Sequence, residues 1–552
     1  MSGRYAQADP PVTAVPVTGA EIAAEAAALV AGLVDEPWGQ VSASVYETGR
    51  LVALSPGLTG HDRRVDHLLR TQRPDGGWGS PEPGYALVPT LSATDALLST
   101  LRAGALGAED VAATVGLRTL FRWLRGPGAL TRSDLPDLPA IELIVPSLVA
   151  SINRRLDELP DPPQGAGWWP GTERLHSPAG IDGTPLELIR GRLAAGHRVP
   201  QKLLHALEVA GDAAQGHPLI RPETTGTVGA SPAATAAWLG DPAGAGSPAR
   251  RFLEDAVRRH DGPVPCGLPV TVFERAWVLG WLARSGVPVS PPAELAESLA
   301  ASLGATGTAA AAGLPQDADT TAGALYALAL AGRPQPPDPL WAFEADEPAG
   351  HFCTWPGEEG VSVSTNAHVL EAFGQYLRTA GTGGTREAAR RMKTVARVAG
   401  WLRDRQREDG SWHDRWHASP YYATSCAALA LRSFGGRESA AAVDRAVRWV
   451  LDTQRPDGSW GHWAGTAEET AYAVQILLPA GRGRDDGGLE DELRRSAVRG
   501  CDHLIRSPRG VDGPALWHDK DLYQPTAIVH AAILAALHLG HRDGLLSRRE
   551  GV

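Results

Sequence analysis

The chain of 552 residues is poor in several residue types that mark large protein classes. Aromatic residues make up 6% of it, and it has only 4 cysteines and 2 methionines. The cysteines show no CxxC or other metal-ligand spacing, which argues against a zinc site or a disulfide scaffold and favours a reducing compartment. We therefore expect a cytoplasmic protein. No run of roughly 18 or more apolar residues occurs, so no membrane span is expected.

Basic residues are in the minority, and lysine is nearly missing. The net charge is -11, from 63 acidic and 52 basic residues, which argues against nucleic acid or an anionic membrane surface as a partner. Lysine occurs only at Lys202, Lys393 and Lys520. Because an ammonium and a guanidinium are not interchangeable, these positions are candidates for a functional cation. An anionic substrate would need a local basic pocket.

Alanine, leucine and glycine dominate, while β-branched and aromatic strand formers are sparse, so the sequence predicts an all-α protein. Residues 1–19 are rich in proline, alanine and threonine and are expected to be disordered. Helical runs fill most of the remainder, including 201–211, 319–332 and 421–434. Several begin directly after a proline, which suits a first helical turn: Pro146, Pro200, Pro232, Pro420 and Pro525.

A repeat with the pattern Gln-x-x-Asp-Gly-x-Trp occurs at 72–78, 406–412 and 454–460. Asp-Gly supplies a turn, and the flanking Gln and Trp are placed to fix it to a neighbouring helix. The second and third copies begin 48 residues apart, at 406 and 454, which indicates repeated helical hairpins. Hairpins of this kind close into α-α barrels, so the repeat predicts architecture and carries no chemistry of its own.

Two carboxylates lie at the start of an apolar helical run. Asp317 and Asp319 precede a stretch with no further charged residue before Arg333. A helix that is apolar all round is buried, and burial favours the protonated form of a carboxyl group, as a general acid requires. The motif alone fits either a well-capped core helix or a general acid.

The repeats and the Asp-x-Asp segment together resemble the class II terpene cyclases, with their QW motifs and their DxDD general-acid motif. Further segments across residues 45–540 are similar to bacterial diterpene cyclases of the copalyl diphosphate synthase type: 140–146, 203–208, 230–237, 272–275, 362–369, 419–424 and 520–523. The DDxxD motif of class I enzymes is absent, and the nearest acidic pair, Asp485-Asp486, lies in a Gly-rich loop. The resemblance is therefore to an enzyme with class II activity only.

The resemblance implies two α-α barrels in the βγ arrangement, with the active cavity between them. We expect a tail over 1–19, a first β-domain helix within 20–50, a γ domain over 51–299 and the rest of the β domain over 300–545. It also implies protonation of the terminal alkene of a prenyl diphosphate, ring closure and deprotonation, with the diphosphate retained.

Carrying the family's motif over makes Asp319 the general acid and gives Asp317 the task of holding or orienting its proton. Thr320 stands where the motif has a fourth-position Asp, which leaves one fewer negative charge beside the acid. The plant enzymes position a deprotonating water with a His and an Asn. The His corresponds to His205, which would otherwise be a satisfied core histidine. The Asn is replaced by Cys266, so the terminal deprotonation should differ.

The diphosphate needs cations, and the carbocations need aromatic faces. Lys520, before the helix that starts near Pro525, is the first candidate for the diphosphate, with a structural ion pair as the alternative role. The other candidates for binding substrate are Lys202, Arg275, Arg415, Trp355, Trp416, Tyr421, Tyr422 and Tyr523. The family also implies Mg²⁺ with the diphosphate, although no octahedral site is legible.

Several functions stay open on the sequence alone. The first is cyclisation of geranylgeranyl diphosphate to a bicyclic labdane- or halimadane-type diphosphate, passed on to a separate class I synthase or phosphatase. The second is conversion of farnesyl diphosphate to drimenyl diphosphate. A squalene-hopene-type cyclase would be longer and carry more repeats. A non-catalytic α-α barrel scaffold would not need two buried carboxyls, and a glycosidase would need a second carboxylate pair.

Overall fold

The structure, a computed structural model, describes residues 18–36, 38–101, 107–159, 167–240, 246–346, 349–381, 385–481, 487–507 and 513–546. The tail expected over residues 1–19 lies almost entirely outside these ranges. The described residues are overwhelmingly helical, as predicted. The α-helices are α1 Gly19–Asp35, α2 Val45–Leu54, α3 His61–Thr71, α4 Pro83–Thr100, α5 Ala108–Leu124, α6 Ile141–Glu158, α7 Thr184–Ala194, α8 Pro232–Leu239, α9 Pro248–Arg259, α10 Thr271–Ser285, α11 Ala293–Ser302, α12 Ala318–Leu330, α13 Val363–Ala380, α14 Arg386–Asp404, α15 Pro420–Phe434, α16 Ala440–Asp452, α17 Ala467–Gly481, α18 Gly487–Arg506 and α19 Thr526–Arg542.

Shorter elements complete the described part of the chain. They are 3₁₀ segments at Arg132–Asp134, Gln201–Ala214, Asp338–Phe343 and Arg437–Ser439, and a two-stranded antiparallel ribbon of β1 Trp517–His518 and β2 Leu522–Tyr523. Within the described ranges, no helix combines the length and the hydropathy needed to cross a bilayer.

Residues 271–542 form an α-α barrel. Its inner helices contact one another in a closed ring, α10 to α12, α13, α15, α17, α19 and back to α10. The helices α11, α14, α16 and α18 pack outside this ring, and α1 joins them by packing on α19 and α10. The inner helices α12 and α17 bury most of their residues, which explains why α12 is apolar on every side beyond its first turn.

Residues 45–268 form a second helical body. Here α2, α4, α6, the 3₁₀ segment Gln201–Ala214 and α8 contact one another in a ring. Buried side chains from Tyr46 to Val209 form its main core, and two smaller clusters extend to Leu268. Two helical bodies are thus present, in agreement with the predicted architecture.

The domain boundaries expected from the sequence need correction. The predicted break at 50 falls inside α2, whose side chains belong to the core of the body formed by residues 45–268. The predicted break at 299 falls inside α11, and both α10 and α11 pack into the other barrel's core. The sequence pattern could not show these boundaries, because the residues of an amphipathic helix do not indicate which of two cores the helix packs into.

The three repeats make the same hydrogen bonds, as predicted. The Trp indole N–H donates to a helix carbonyl ten residues earlier, from Trp78 to Leu68 at 2.7 Å and from Trp412 to Leu402 at 2.8 Å. Trp460 repeats this bond at 2.7 Å. Each Gln amide donates to its own turn and to a carbonyl of the next outer helix, for example from Gln406 at 2.9 and 2.8 Å.

One predicted helix has another conformation. The run 201–211 was expected to be α-helical, but Gln201–Ala214 is 3₁₀, with non-helical backbone at Ala206 and Gly211. Gly211 has a φ of 60°, an angle that right-handed helices do not adopt. The start at Pro525 is confirmed, because this residue is the N-cap of α19.

Candidate active site

Asp317 caps the N-terminus of α12. Its Oδ1 accepts a hydrogen bond from the Thr320 N–H at 2.6 Å, so the carboxyl satisfies one of the helix's free donors. Burial raises the pKa of Asp317 to about 7, although the Thr320 N–H opposes this and the neighbouring charge of Asp319 adds to it. Thr320 is itself buried and bonded only within this cap.

Asp319, in the first turn of α12, pairs with His368 of α13. The His368 Nδ1 lies 2.8 Å from the Asp319 Oδ1. Burial disfavours a charged imidazole, but the charge of Asp319 outweighs it and raises the pKa of His368 well above its ordinary value. The Asp319 side chain keeps 17% of its surface exposed, whereas its helix neighbours are almost all buried. Its carboxyl group therefore has open space in front of it.

Aromatic rings surround this pair. Trp277 of α10 meets His368 edge to face at 5.0 Å between ring centroids, and its indole N–H donates to the Tyr422 hydroxyl at 3.0 Å. Tyr422 in turn lies 4.6 Å from the ring of Trp517. Phe273 packs against both Trp277 and Trp517, at 4.6 and 5.7 Å. These faces can stabilise a carbocation without reacting with it.

A second carboxylate, Glu468 of α17, sits among these rings. Its Oε1 accepts three hydrogen bonds, from Trp517 Nε1 at 2.8 Å, Tyr472 Oη at 3.1 Å and His417 Nε2 at 3.1 Å. The His417 Nδ1 accepts the Ser419 N–H at 3.0 Å, so its proton is on Nε2. Three donors therefore converge on one oxygen of Glu468 and fix its position among the rings.

A third acidic group, Asp519, lies after β1 and contacts the other helical body. Its Oδ1 is 2.8 Å from Nε2 of His205, and the His205 Nδ1 is 2.6 Å from the Gly229 carbonyl. The Cys266 thiol also bonds Asp519. Burial raises the pKa of Tyr523, and the charges of Cys266, Asp519 and Asp319 raise it further. Tyr523 is therefore near enough to both Asp519 and Asp319 for their charges to affect its hydroxyl group.

The structure places Lys520 away from any open space. Its ammonium donates to the His205 carbonyl and the Ser231 hydroxyl, both at 2.8 Å. It also pairs with Glu208 at 3.0 Å and with Glu47. Burial disfavours its charge, but Glu208 and Glu47 outweigh this and raise the pKa of Lys520. All of its donors are taken, so its geometry fits the structural ion pair and not a diphosphate ligand.

Two predicted cations have structural partners. Arg275 bonds the Ser298 hydroxyl at 2.5 Å and the Leu33 carbonyl at 3.1 Å, on the outer side of α10. Arg415 pairs with Asp137 of the other helical body at 2.7 Å and also bonds Glu358. Lys202 is exposed at the start of the 3₁₀ segment. The diphosphate role of Lys202 stays a prediction.

The predicted aromatic residues separate into two groups. Tyr422 and Tyr523 belong to the site described above. Trp355 and Trp416 form an edge-to-face pair at 5.2 Å, and Trp416 donates to Thr354, whose carbonyl accepts the Ala318 N–H at 3.0 Å. This pair therefore adjoins the start of α12. Tyr421 points the other way, with its ring 4.6 Å from Trp449 of the outer helix α16.

Comparison with known proteins identifies the family. A family model described as the squalene-hopene cyclase C-terminal domain matches residues 361–487. An ent-copalyl diphosphate synthase of Streptomyces sp. (strain KO-3988) is 41% identical over 527 residues, covering 94% of this chain and 96% of that protein. Labda-7,13-dienyl diphosphate synthase of Streptomyces clavuligerus is 41% identical over 541 residues, covering 95% of this chain and 94% of that protein. The chain belongs to the class II terpene cyclases.

A solved structure supports the same assignment for the fold of this class II cyclase. The ent-copalyl diphosphate synthase from Streptomyces platensis has a TM-score of 0.87 and 45% sequence identity. The match covers 94% of this chain and 99% of that chain. The α-α barrel arrangement predicted from the repeats is therefore confirmed.

Sequence reasoning missed most of the residues around Asp319, among them His368, Asp519, Glu468 and Trp277. His368 lies in the segment 362–369 that carries part of the family resemblance, yet nothing local to it signals a contact with Asp319, 49 residues away. Asp519 lies two residues before Asp521, and Glu468 is followed directly by Glu469. Paired acidic residues in buried elements were the available signal.

Proposed function

We propose that this enzyme converts geranylgeranyl diphosphate to a bicyclic labdane- or halimadane-type diterpenyl diphosphate by protonation-initiated cyclisation. The observation that carries the proposal is the Asp319–His368 pair, with open space in front of the acid and aromatic rings around it. The relatives are copalyl and labdadienyl diphosphate synthases, which supports a C20 substrate.

The reaction starts when Asp319 gives its proton to the terminal double bond. The π electrons of that bond form the new C–H bond and leave a tertiary cation, which the next two double bonds attack in turn to close two rings. His368 donates its Nδ1–H to Asp319 Oδ1 and stabilises the carboxylate that remains. The rings of Trp277, Tyr422 and Trp517 face the migrating positive charge. Loss of a proton ends the sequence and the diphosphate is retained.

Magnesium remains part of the proposal as a companion of the diphosphate. In the part of the chain that the structure describes, His, Cys, Asp and Glu side chains form no group of three or more able to hold a metal. An ion bound here would take most of its ligands from the diphosphate and water, as Mg²⁺ commonly does. No step of the cyclisation is assigned to it.

The proposal is tested by incubating the protein separately with C15, C20 and C30 substrates, treating the products with phosphatase and analysing them by gas chromatography with mass detection. We expect bicyclic C20 alcohols from geranylgeranyl diphosphate. Turnover of only the C15 substrate would instead make the enzyme a drimenyl diphosphate synthase. No turnover of any prenyl diphosphate would favour the binding scaffold. A retained diphosphate also predicts that a separate class I synthase or phosphatase consumes the product.

Asp319→Asn removes the transferable proton while keeping the side chain's size. We expect turnover to fall by at least about 10³-fold, in the range of a lost general acid, with an unchanged circular dichroism spectrum. Asp338→Asn is the matched control, because Asp338 only pairs with Arg391 on the outer surface. Wild-type rates for Asp319→Asn would remove the mechanism.

A further inference from the structure

His205 has no lone pair with which to accept a proton. Its two ring nitrogens face the Gly229 carbonyl at 2.6 Å and the Asp519 Oδ1 at 2.8 Å. Both partners are acceptors, so both nitrogens must carry hydrogen and the ring is an imidazolium. Burial disfavours this charge, but Asp519 outweighs it and raises the pKa of His205. The histidine therefore cannot itself be the base that ends the cyclisation.

Asp519 is an anion whose Oδ1 accepts two hydrogen bonds and whose Oδ2 lies beside a glycine. Its Oδ1 accepts the His205 ring N–H and also the Lys520 backbone N–H at 2.7 Å. The Cys266 thiol also bonds this carboxyl, and the side chain keeps 16% of its surface exposed despite its interior position. Gly267 lies beside Oδ2, and a Cβ there would contact this oxygen at 3.7 Å, so the glycine leaves that side of Oδ2 without a side chain. Space therefore remains next to this oxygen.

Asp519 and the proposed general acid share a neighbour. Tyr523 lies within reach of the charges of Asp519 and Asp319, as its raised pKa shows. The two carboxyl groups come from different ends of the barrel sequence, and Asp519 sits where the barrel meets the other helical body. A chain of isoprene units that starts at Asp319 therefore passes Asp519 on its way toward the other body.

We propose that Asp519 is the base that ends the cyclisation, and this rests on the proposed function. Oδ2 takes a proton from a carbon next to the cationic centre. The electron pair of that C–H bond becomes the new double bond and the positive charge is cancelled. The proton lost by Asp319 and the proton gained by Asp519 balance, so the reaction is an isomerisation that needs no further reactant.

The surroundings of Asp519 suit a base that must be used repeatedly. Burial disfavours its charge, but His205 outweighs it and lowers the pKa of Asp519 to about 2. A carbocation loses a proton even to a weak base, and an acid this strong then passes the proton on to water. The titratable groups around Asp519 are His205, Lys520, Cys266, Tyr523 and Asp521.

Glu468 is the rival carboxylate. Its Oε2 has no hydrogen-bond partner but is fully enclosed, so no hydrocarbon reaches it in this conformation. Its three donors and the surrounding rings hold its side chain in place, and only 2% of that side chain is exposed. We assign the proton to Asp519 because its oxygen is the accessible one.

Asp519→Asn and Asp519→Ala test the proposal with geranylgeranyl diphosphate in H₂¹⁸O. We expect the ratio of hydroxylated to olefinic diterpenyl products to rise at least tenfold, with ¹⁸O in the added hydroxyl, because water captures a cation that has lost its base. Unchanged ratios in both variants would overturn the proposal. A wild-type enzyme that forms no cyclic product would instead overturn the proposed function.

Asp521→Asn is the matched control, since it removes a carboxylate two residues away that bonds Ser44 and Tyr46 and holds the same segment. We expect lower thermal stability and an unchanged product ratio. The same rise in alcohols in this variant would show that loosening the segment suffices, which contradicts the proposal. A rise in Glu468→Gln without one in the Asp519 variants would give the role to Glu468.

A wild-type measurement covers the case in which the Asp519 variants do not fold. The ratio of alcohol to olefin is measured from pH 8 down to pH 5.5. Asp519 stays ionised throughout this range, so we expect a constant ratio even where the rate changes. A ratio that rises as the pH falls through 7 would show a base that titrates there and would overturn the assignment.

Discussion

His368 is the side chain that would tune Asp319 as an acid under the proposed function. Its Nδ1 lies 2.8 Å from the Asp319 Oδ1. Donation of an N–H to a carboxylate stabilises it, so the acid gives up its proton more readily. Asp319 was proposed as the acid from the resemblance to the family's DxDD motif, since a carboxyl at the start of an apolar helix fits a helix cap equally well. Its partner was not predicted, because the contact joins two helices.

We expect His368→Phe to fold, since a ring is kept against Trp277, and to lose about 10²- to 10³-fold in kcat with little change in KM. His351→Phe is the control, because His351 stacks on Trp401 outside the site at 5.4 Å. Steady-state kinetics on both variants measure kcat and KM and so test this expectation. A higher KM with an unchanged kcat would mean that His368 binds substrate instead of stabilising the carboxylate.

The Lys520 assignment shows a limit of reasoning from residue type. A rare lysine in an arginine-rich chain suggests that an ammonium is needed at that position. The partners of Lys520 are consistent with this, because they are a backbone carbonyl, a hydroxyl and a carboxylate. The sequence could not say whether the anion was a substrate or two buried glutamates. Those glutamates lie more than 300 residues away along the chain.

The repeated turns show how reliably a short motif fixes an element. Each turn places its glycine at a positive φ, 90° at Gly76, 95° at Gly410 and 89° at Gly458. The Asp-Gly pair predicted this, since glycine adopts such angles without steric cost. By contrast, the 3₁₀ form of Gln201–Ala214 was not predictable, because nothing in its apolar pattern distinguishes it from an α-helix.

We expect Gly410→Ala to lower the free energy of unfolding by about 1–3 kcal/mol, because of the positive φ and because the new Cβ would lie 2.5 Å from the Arg445 carbonyl oxygen. Gly400→Ala in α14 is the control: its Cβ meets only the Arg403 guanidinium at 3.6 Å, and alanine favours a helix. Urea unfolding followed by circular dichroism measures both. Equal stability of the two variants would contradict the strain argument.

The molecule as a whole is held at the junction of its two bodies by buried charges. Lys520, on the loop between β1 and β2, reaches Glu208, Glu47 and Ser231 of the other body. We expect Lys520→Met to cost about 3–5 kcal/mol, because it leaves two glutamates buried without a cation. Lys393→Met, at an exposed position on α14, should change little. Chemical denaturation compares them, and near-equal stabilities would contradict the buried role.

Buried acids also set a pH dependence of stability. Burial raises the pKa of Asp317, Glu274 and Glu469 each to about 7, far above their ordinary values. Between about pH 4 and 7 the folded state therefore binds more protons than the unfolded chain, and stability is lost as the pH rises through 7. We expect Tm to be higher at pH 6 than at pH 8.5 by roughly 5 °C.

Glu469→Gln should reduce that difference, because it removes one of the titrating groups without touching Asp317 or Glu274. Differential scanning calorimetry across the pH range tests both statements. A Tm that is equal or higher at pH 8.5 would contradict the linkage.

The chain leaves the barrel after α1 and returns to it at α10, and these two crossings run side by side. The Val270 N–H donates to the Trp38 carbonyl at 2.9 Å, and the Ser44 N–H donates to the Val264 carbonyl at 2.9 Å. The helical body formed by residues 45–268 is thus an insertion into the barrel sequence, and the segments that enter and leave it are hydrogen-bonded to each other. Replacing this insertion with that of a relative would exchange the segments that carry His205 and Cys266 while leaving Asp319 in place. Chimeras joined at these two points should therefore keep their proton donor and vary in their products.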